Sequence, residues 1–378
     1  MEKRKPLFGK RLNVGQLFER WETEHPNSLP YEQKHFQQEI EETAFSVSGL
    51  TIKVFTTMGA WLAAIMFMAV LGLAGIVRTE ESALVAGIIF TAIYLISSYI
   101  GTLKASYEAF TLALGLIGQG LLFFGLLSVF RFENLLLFAI ICMVIEAVIM
   151  VLTFSQIQRF ISTVLIFLSS LGVCHELGFY NGPHFVVGIL SFVLAYFWIN
   201  EAKIISQDQR LASYLNPVGM GLTISIVLLL ALSVNRKEYQ AYIGYWWISG
   251  AFMVGAILYV VRSMLNRYGG LSYQWLAYVS IVIMLGPTVL SPGIAAGIFF
   301  LLLGFYRGHY LISGLGTTAL IIFTFMFYYN LELDYIQKSS MLAIVGMVFL
   351  FVRLALNRLV LKHDRLEQQF TEENDSTT

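Results

Sequence analysis

The sequence predicts an all-α fold: a polytopic integral membrane helical bundle of about twelve transmembrane helices with both tails cytoplasmic. Three observations predict it, namely the depletion of charge, the long apolar runs and the uneven placement of basic residues. Of 378 residues, 13% are charged and 57% hydrophobic, where soluble chains carry about 25% and about 45–50%. The mean hydropathy is +0.71. More than half of the 24 acidic residues lie in the two ends of the chain. The organisation expected is therefore a cytoplasmic amphipathic N-terminal segment, 1–53, a multispanning membrane domain, 54–357, and a polar C-terminal tail, 358–378.

About 20 apolar residues are needed to cross a hydrocarbon core of roughly 30 Å, and an open chain satisfies its backbone there only as a helix. The apolar runs place spans at 54–77, 82–101, 108–130, 135–154, 160–178, 183–201, 215–234, 241–261, 271–288, 290–306, 310–329 and 338–357. The region 271–306 is the tightest, since two spans share it around Pro287 and Pro292, and a re-entrant hairpin is the alternative. With twelve spans both tails share a side, which then holds 19 of the 24 basic residues, including Lys104, Arg159, Lys203, Arg262 and Arg307. Cytoplasmic loops are enriched in Lys and Arg, so that side is assigned to the cytoplasm. Trp198, Trp246, Trp247, Tyr328 and Tyr329 fall near span ends, where amphipathic rings favour the headgroup region.

Before the first span, Val14 to Phe45 reads as amphipathic helix interrupted at Pro26 and Pro30, with Leu17, Phe18 and Trp21 on one face. It suits the membrane surface, a partner, or the protein's own cytoplasmic face. The tail Leu366 to Thr378 is polar and acidic, a composition that favours disorder. No apolar segment with a cleavage site occurs in the first fifty residues, so insertion is expected to begin with the first span.

Several functions are not expected. Formal charge is zero and the basic residues are dispersed, which leaves no patch to neutralise the phosphates of a nucleic acid. Cys142 and Cys174 form neither a disulfide framework nor a thiolate metal motif. No cofactor motif and no catalytic set of nucleophile, base and acid is visible, so no enzymatic activity and no cofactor are expected.

An ionisable side chain in hydrocarbon costs roughly 2.5–3.5 kcal/mol on insertion scales and is a functional candidate by default. Glu146, deep in the apolar run from Leu135 to Phe154, is the clearest case. Gln119 lies in the preceding span, and the short link Arg131–Asn134 predicts an antiparallel hairpin that brings Gln119 and Glu146 to one depth. Gly115, Gly118 and Gly120 are expected to let those two helices approach. A Gln119–Glu146 hydrogen bond follows, with the carboxyl neutral because hydrocarbon penalises the charged form. It is either a site of proton coupling or an interhelical strut.

In the outer loop after the fifth span, His175, Glu176 and His184 are plausible metal-ligand types. Their spacing matches no metal motif, and an ordinary interfacial loop is the simpler reading. Gly293 and Gly297 are spaced for helix packing. Asp334 and Lys338, four residues apart, are placed to pair on a helix.

A series of short segments carries a family resemblance: Gly59-Ala60-Trp61-Leu62-Ala63-Ala64; Phe110-Thr111-Leu112-Ala113-Leu114 running into Gly118-Gln119; Gly304-Phe305-Tyr306-Arg307-Gly308-His309; Gly314-Leu315-Gly316; Tyr328-Tyr329-Asn330-Leu331; Lys338-Ser339; then Gly346 and Arg353. In this order the chain resembles a bacterial membrane family catalogued as domain of unknown function 4401. It departs from the family's pattern at Phe327, where a tyrosine triplet is usual, and at Gln337, where an acidic residue is common. The resemblance implies no known activity. It implies a bacterial cytoplasmic (inner) membrane location and association with a second membrane-linked family named for a Gly-Asp-Tyr motif. The leading expectation is thus a non-enzymatic scaffold or subunit that contacts the lipid bilayer and a partner membrane protein. The alternative is a secondary transporter or permease with a midplane polar site at Gln119/Glu146.

Overall fold

Among the described residues every regular element is helical. The computed structural model describes residues 47–330, apart from 76, 101–104, 131–132, 208, 235–244, 246, 268–277, 279–280 and 283–284, together with scattered positions from 334 to 354. The helices are α1 (Val47–Leu73), α2 (Glu80–Ile100), α3 (Ala105–Val129), α4 (Leu135–Leu152), α5 (Gln156–Glu176), α6 (Gly182–Ile199), α7 (Glu201–Gln207), α8 (Gln209–Val234), α9 (Trp247–Arg267), α10 (Pro292–Arg307) and α11 (Tyr310–Asn330), with a 3-10 turn at Gly286–Leu290 before α10. By its internal contacts the chain divides into residues 1–59 and 60–378. Of the first unit the start of α1 is described, and it is helical. The second unit holds all the other helices.

Eight of the described helices, α2 to α6, α8, α9 and α11, are long and apolar enough to cross a membrane, and α1 and α10 contribute shorter apolar stretches. The chain is a multi-pass membrane protein. Its outward faces carry Val144, Val148 and Val151 on α4 and Ile88 and Ile89 on α2, all exposed, where a water-soluble helix would carry charge. The expected spans at 271–288 and 338–357 fall largely outside the described residues, as do the amphipathic segment 14–45, the C-terminal tail and the Asp334–Lys338 pair. At 290–306 the structure has a 3-10 turn followed by a helix of 16 residues. That helix spans about 24 Å at 1.5 Å per residue.

Close backbone approach pairs the helices. On α2 and α3, a Cβ on Gly118 would sit 2.6 Å from Thr91 N and one on Gly125 2.6 Å from Leu84 N, while Gly87 lies against the Leu122 backbone. These contacts run in opposite directions along the two chains, so α2 and α3 form an antiparallel pair seated glycine against backbone. The glycines around Gln119 therefore serve α2 and α1 rather than α4, contrary to the expectation from sequence. Gly115 and Gly118 meet Tyr94 and Thr91, and Gly120 meets Met68 of α1. The physical reason is periodicity: Gly118 and Gly125, seven residues apart, share the face that meets α2, and Gln119 is turned roughly 100° from it.

The same device closes α10 on α11, where Gly297 faces the Leu320 backbone, Gly316 faces Leu301 N and Gly304 faces Ser313 N. Between these pairs, α4 lies antiparallel on α5, with Ala139 near Gly172 and Met150 near Thr163. Helices α6 and α9 run parallel, as the matched contacts His184–Ser249, Gly188–Phe252 and Phe192–Gly255 require. The largest core is shared by α6, α8, α9, α10 and α11, with Leu194, Ile226, Leu230, Met253, Ile257, Phe299 and Phe300 sealed inside.

Trp198 is a correction to the aromatic-belt reading. Instead of facing a headgroup layer it is 3% exposed, within that core, because Gly219 on α8 leaves room for the indole. Trp247 and Tyr329 are exposed as expected, and Trp246 lies outside the described residues.

The glycine seat predicts that Gly118→Val, which drives two methyl groups into the Thr91 backbone, destabilises the purified protein by about 1–3 kcal/mol. Thermal unfolding in lipid nanodiscs checks this, and an unchanged midpoint would contradict the α2–α3 seat.

Candidate functional site

Helix α4 buries one stripe, Ala139, Cys142, Glu146 and Ile149, at the alternating three- and four-residue spacing of a core-facing helix. Glu146 is the one charged residue of this helix and it occupies that stripe, with 0% exposure. It lies about 16 Å from the start of α4 at 1.5 Å per residue. From α3, Gln119 (4% exposed) reaches it, its Nε2 donating to Glu146 Oε2 at 3.3 Å.

The third contributor is one that hydropathy does not single out. Helix α5 buries a polar face at its start, Gln158, Arg159, Ser162 and Thr163. Gln158 Nε2 donates to Ser162 Oγ at 3.4 Å, and Ser162 neighbours the Glu146 carboxyl. A string of four buried polar side chains, Gln119–Glu146–Ser162–Gln158, thus crosses three helices. Three of its oxygens, Gln119 Oε1, Glu146 Oε1 and Gln158 Oε1, make no hydrogen bond. An unsatisfied buried acceptor costs about 1–3 kcal/mol. The signal in the sequence is the i, i+4 repeat of Gln158/Ser162 and Arg159/Thr163. A span begun at residue 160 misses it, because Gln158 and Arg159 are then left in a loop.

Arg159 is likewise buried, at 3% exposure, where the charge count places it as a loop cation. Its Nε donates to Thr153 O at 3.0 Å, and its Nη1 donates to Ser213 O at 2.9 Å and Ser213 Oγ at 3.0 Å. The guanidinium lies 3.7 Å from the centroid of the Tyr214 ring, a cation–π contact, and Tyr214 in turn donates to Val151 O at 3.0 Å. Both carbonyls are available for local reasons. Thr153 caps the C-terminus of α4, where carbonyls lack intrahelical donors and a cation is favoured. Ser213 stands four residues before Pro217, which lies inside α8 and has no N–H to give. Thr153 Oγ1 also hydrogen-bonds Tyr94 OH, tying α2 to the same point.

A second polar cluster forms where α10 turns into α11. Gly308 caps α10 in the left-handed region, φ 70°, which glycine adopts without a Cβ penalty. His309 N then bonds Gly304 O at 2.9 Å, closing a Schellman turn. Arg307 pairs with Glu201 of α7. The His309 ring meets Trp198 edge-on, 5.1 Å between centroids. Burial, and secondarily the Arg307 charge, push the His309 pKa below its ordinary value, so the imidazole is neutral at physiological pH.

His175 and Glu176, in the last turn of α5, and His184, in the first turn of α6, do not converge. His175 and Glu176 pair at 3.3 Å with the histidine well exposed, whereas His184 is buried and faces Ser249 Oγ at 3.3 Å. Among the described residues no three His, Cys, Asp or Glu side chains come together for a metal. The remaining motif residues are dispersed. Trp61 is half exposed, Tyr328 and Tyr329 stack edge-on at 5.7 Å, and Ser339 Oγ donates to Tyr335 O at 2.9 Å. Gly316 seats α11 on α10, and Gly314 has open space beside it. Lys338 and Arg353 lie outside the described residues.

A family model described as Domain of unknown function (DUF4401) matches residues 49–359. Comparison with curated proteins and with solved structures returns no match.

The Arg159 geometry predicts a coupled pair. Arg159→Met removes the side-chain donor to the buried Thr153 carbonyl and the part-buried Ser213 carbonyl and costs about 1–3 kcal/mol. In a Pro217→Ala background, where residue 217 regains an N–H for Ser213 O, the same substitution costs less. A double-mutant cycle on unfolding midpoints measures the difference, and strict additivity would contradict the assignment.

Proposed function

The chain belongs to the DUF4401 family, and we propose that it is a secondary transporter whose coupling group is the Glu146 carboxyl. The observation that carries this reading is the buried string Gln119–Glu146–Ser162–Gln158 with its unsatisfied oxygens. An apolar packing contact needs no carboxyl, and a strut that served only to join helices would be expected to satisfy its own acceptors. The helix irregularities favour the same reading, since transport sites are commonly flanked by interrupted helices. Pro217 lies inside α8, and α10 is short and preceded by a 3-10 turn.

On this reading the chain is non-enzymatic, has about twelve spans with both tails in the cytoplasm, and resides in a bacterial inner membrane. The unequal distribution of Lys and Arg supports that orientation. Alternating access would move α4 against α3 and α5, because these three helices share the string.

The test needs no knowledge of the transported solute. Proteoliposomes adsorbed on a solid-supported membrane are exposed to a step in proton or sodium concentration. The wild-type protein should give a transient charge displacement, and Glu146→Gln, which keeps the shape and hydrogen bonding of the side chain, should lose it. If the wild type gives no displacement, or the variant matches it, Glu146 is a structural strut and the scaffold reading replaces this one.

A further inference from the structure

We propose that the unspent edge of the Arg159 guanidinium binds a phosphate group, with an anionic phospholipid at the membrane face where α5 begins as its source. The proposal does not depend on the reading of Glu146. Arg159 is 3% exposed, yet its hydrogen bonds engage Nε and Nη1 alone: 3.0 Å to Thr153 O, 2.9 Å to Ser213 O and 3.0 Å to Ser213 Oγ. Nη2 carries two further N–H groups that none of these bonds uses, and it is not one of the sealed, unpartnered polar atoms of the described residues. That edge is therefore open. All three acceptors are neutral, and the Tyr214 ring attracts the cation without cancelling its charge. Ion pairs among the described residues are His175–Glu176 and Arg307–Glu201, and neither includes Arg159. A full positive charge thus stands in the protein without a counter-charge, an arrangement that favours a bound anion.

Position selects the ligand. Thr153 lies three residues before the first residue of α5, so in reaching its carbonyl the Arg159 side chain folds back over the start of its own helix. There the Ser155 hydroxyl answers Gln158 N, and the N–H groups of Gln156 and Ile157 have no intrahelical partner. The helix end adds its partial positive charge to the guanidinium's full one. The start of α5 is also a span end, at headgroup depth, on the side that the distribution of Lys and Arg assigns to the cytoplasm. Next to it Val151, Leu152, Phe154 and Tyr99 form exposed apolar surface for acyl chains, the Tyr99 and Phe154 rings lying 5.8 Å apart. Paired guanidinium N–H groups match two oxygens of one phosphate, a geometry that a lysine ammonium lacks. A soluble phosphate offers the same oxygens without the chains.

Thermal unfolding of the purified full chain in uncharged detergent tests the site, with short-chain phosphatidylglycerol, diacylglycerol of the same chain length, or inorganic phosphate added at constant ionic strength. Phosphatidylglycerol should raise the wild-type midpoint in a saturable way while diacylglycerol does not. Arg159→Lys, which keeps the charge and loses the fork, should raise the half-saturating concentration by about tenfold or more. A saturable response to inorganic phosphate that Arg159→Lys weakens, with none to phosphatidylglycerol, keeps the phosphate site and makes its source soluble. Equal responses to phosphatidylglycerol and diacylglycerol, no response to either phosphate compound, or an unchanged response in Arg159→Lys would overturn the proposal. A density map of the wild type in phosphatidylglycerol nanodiscs needs no variant: a phosphate-sized feature within hydrogen-bond distance of Nη2 is expected, and an Nη2 met by water alone overturns the site.

Discussion

Hydrocarbon offers no hydrogen-bond partner, so each polar atom that a membrane helix buries has to be answered from within the protein. That constraint bears hardest on the start of α5, where Gln158, Arg159, Ser162 and Thr163 all face inward. Arg159 is answered by the carbonyl that ends α4 and by the Ser213 carbonyl of α8, to which Pro217 has no N–H to give. A guanidinium cannot lose its charge under ordinary conditions, so two helix irregularities stand where it needs them. Through Thr153 the same point reaches Tyr94 on α2. Four helices are thereby tied at one end of the polar string.

One turn further along α5 the polar face continues as Ser162, which brings Glu146 and Gln158 into one network. The rest of the fold makes room for it. Gly87, Gly118 and Gly125 draw α2 tightly against α3, and the adjoining face of α3, about 100° around the helix, presents Gln119 to α4. Because Gly297, Gly304 and Gly316 draw α10 against α11, the second half carries a densely packed core around Phe299 and Phe300. Polar groups therefore concentrate in the first half, between α3, α4 and α5, where contacts between α3 and α4 are sparse and the carboxyl has neighbours but few donors.

Much of this is legible in the sequence. The apolar run 135–154 corresponds to α4, Leu135–Leu152, and 310–329 corresponds to α11, Tyr310–Asn330, because long apolar runs have one solution in lipid. Counting residues outward from a short turn is enough to bring Gln119 beside Glu146. Other features are hidden by the same reasoning. Hydropathy begins a span where charge ends, so it excludes Gln158 and Arg159 from α5 although both are helical and buried. Position near a span end assigns Trp198 to the interface, yet the space above Gly219 admits it to the core. Which helix a glycine faces depends on rotation about the helix axis, and spacing within one helix cannot supply the partner.

The most direct test of Glu146 as a coupling group is a high-resolution density map of the protein in lipid, inspected around Gln119, Glu146, Ser162 and Gln158. The expected result is a water-accessible path from one membrane face that reaches the Glu146 carboxyl beside Gln119. A dry contact sealed from both faces would contradict it and leave Glu146 as a link between helices.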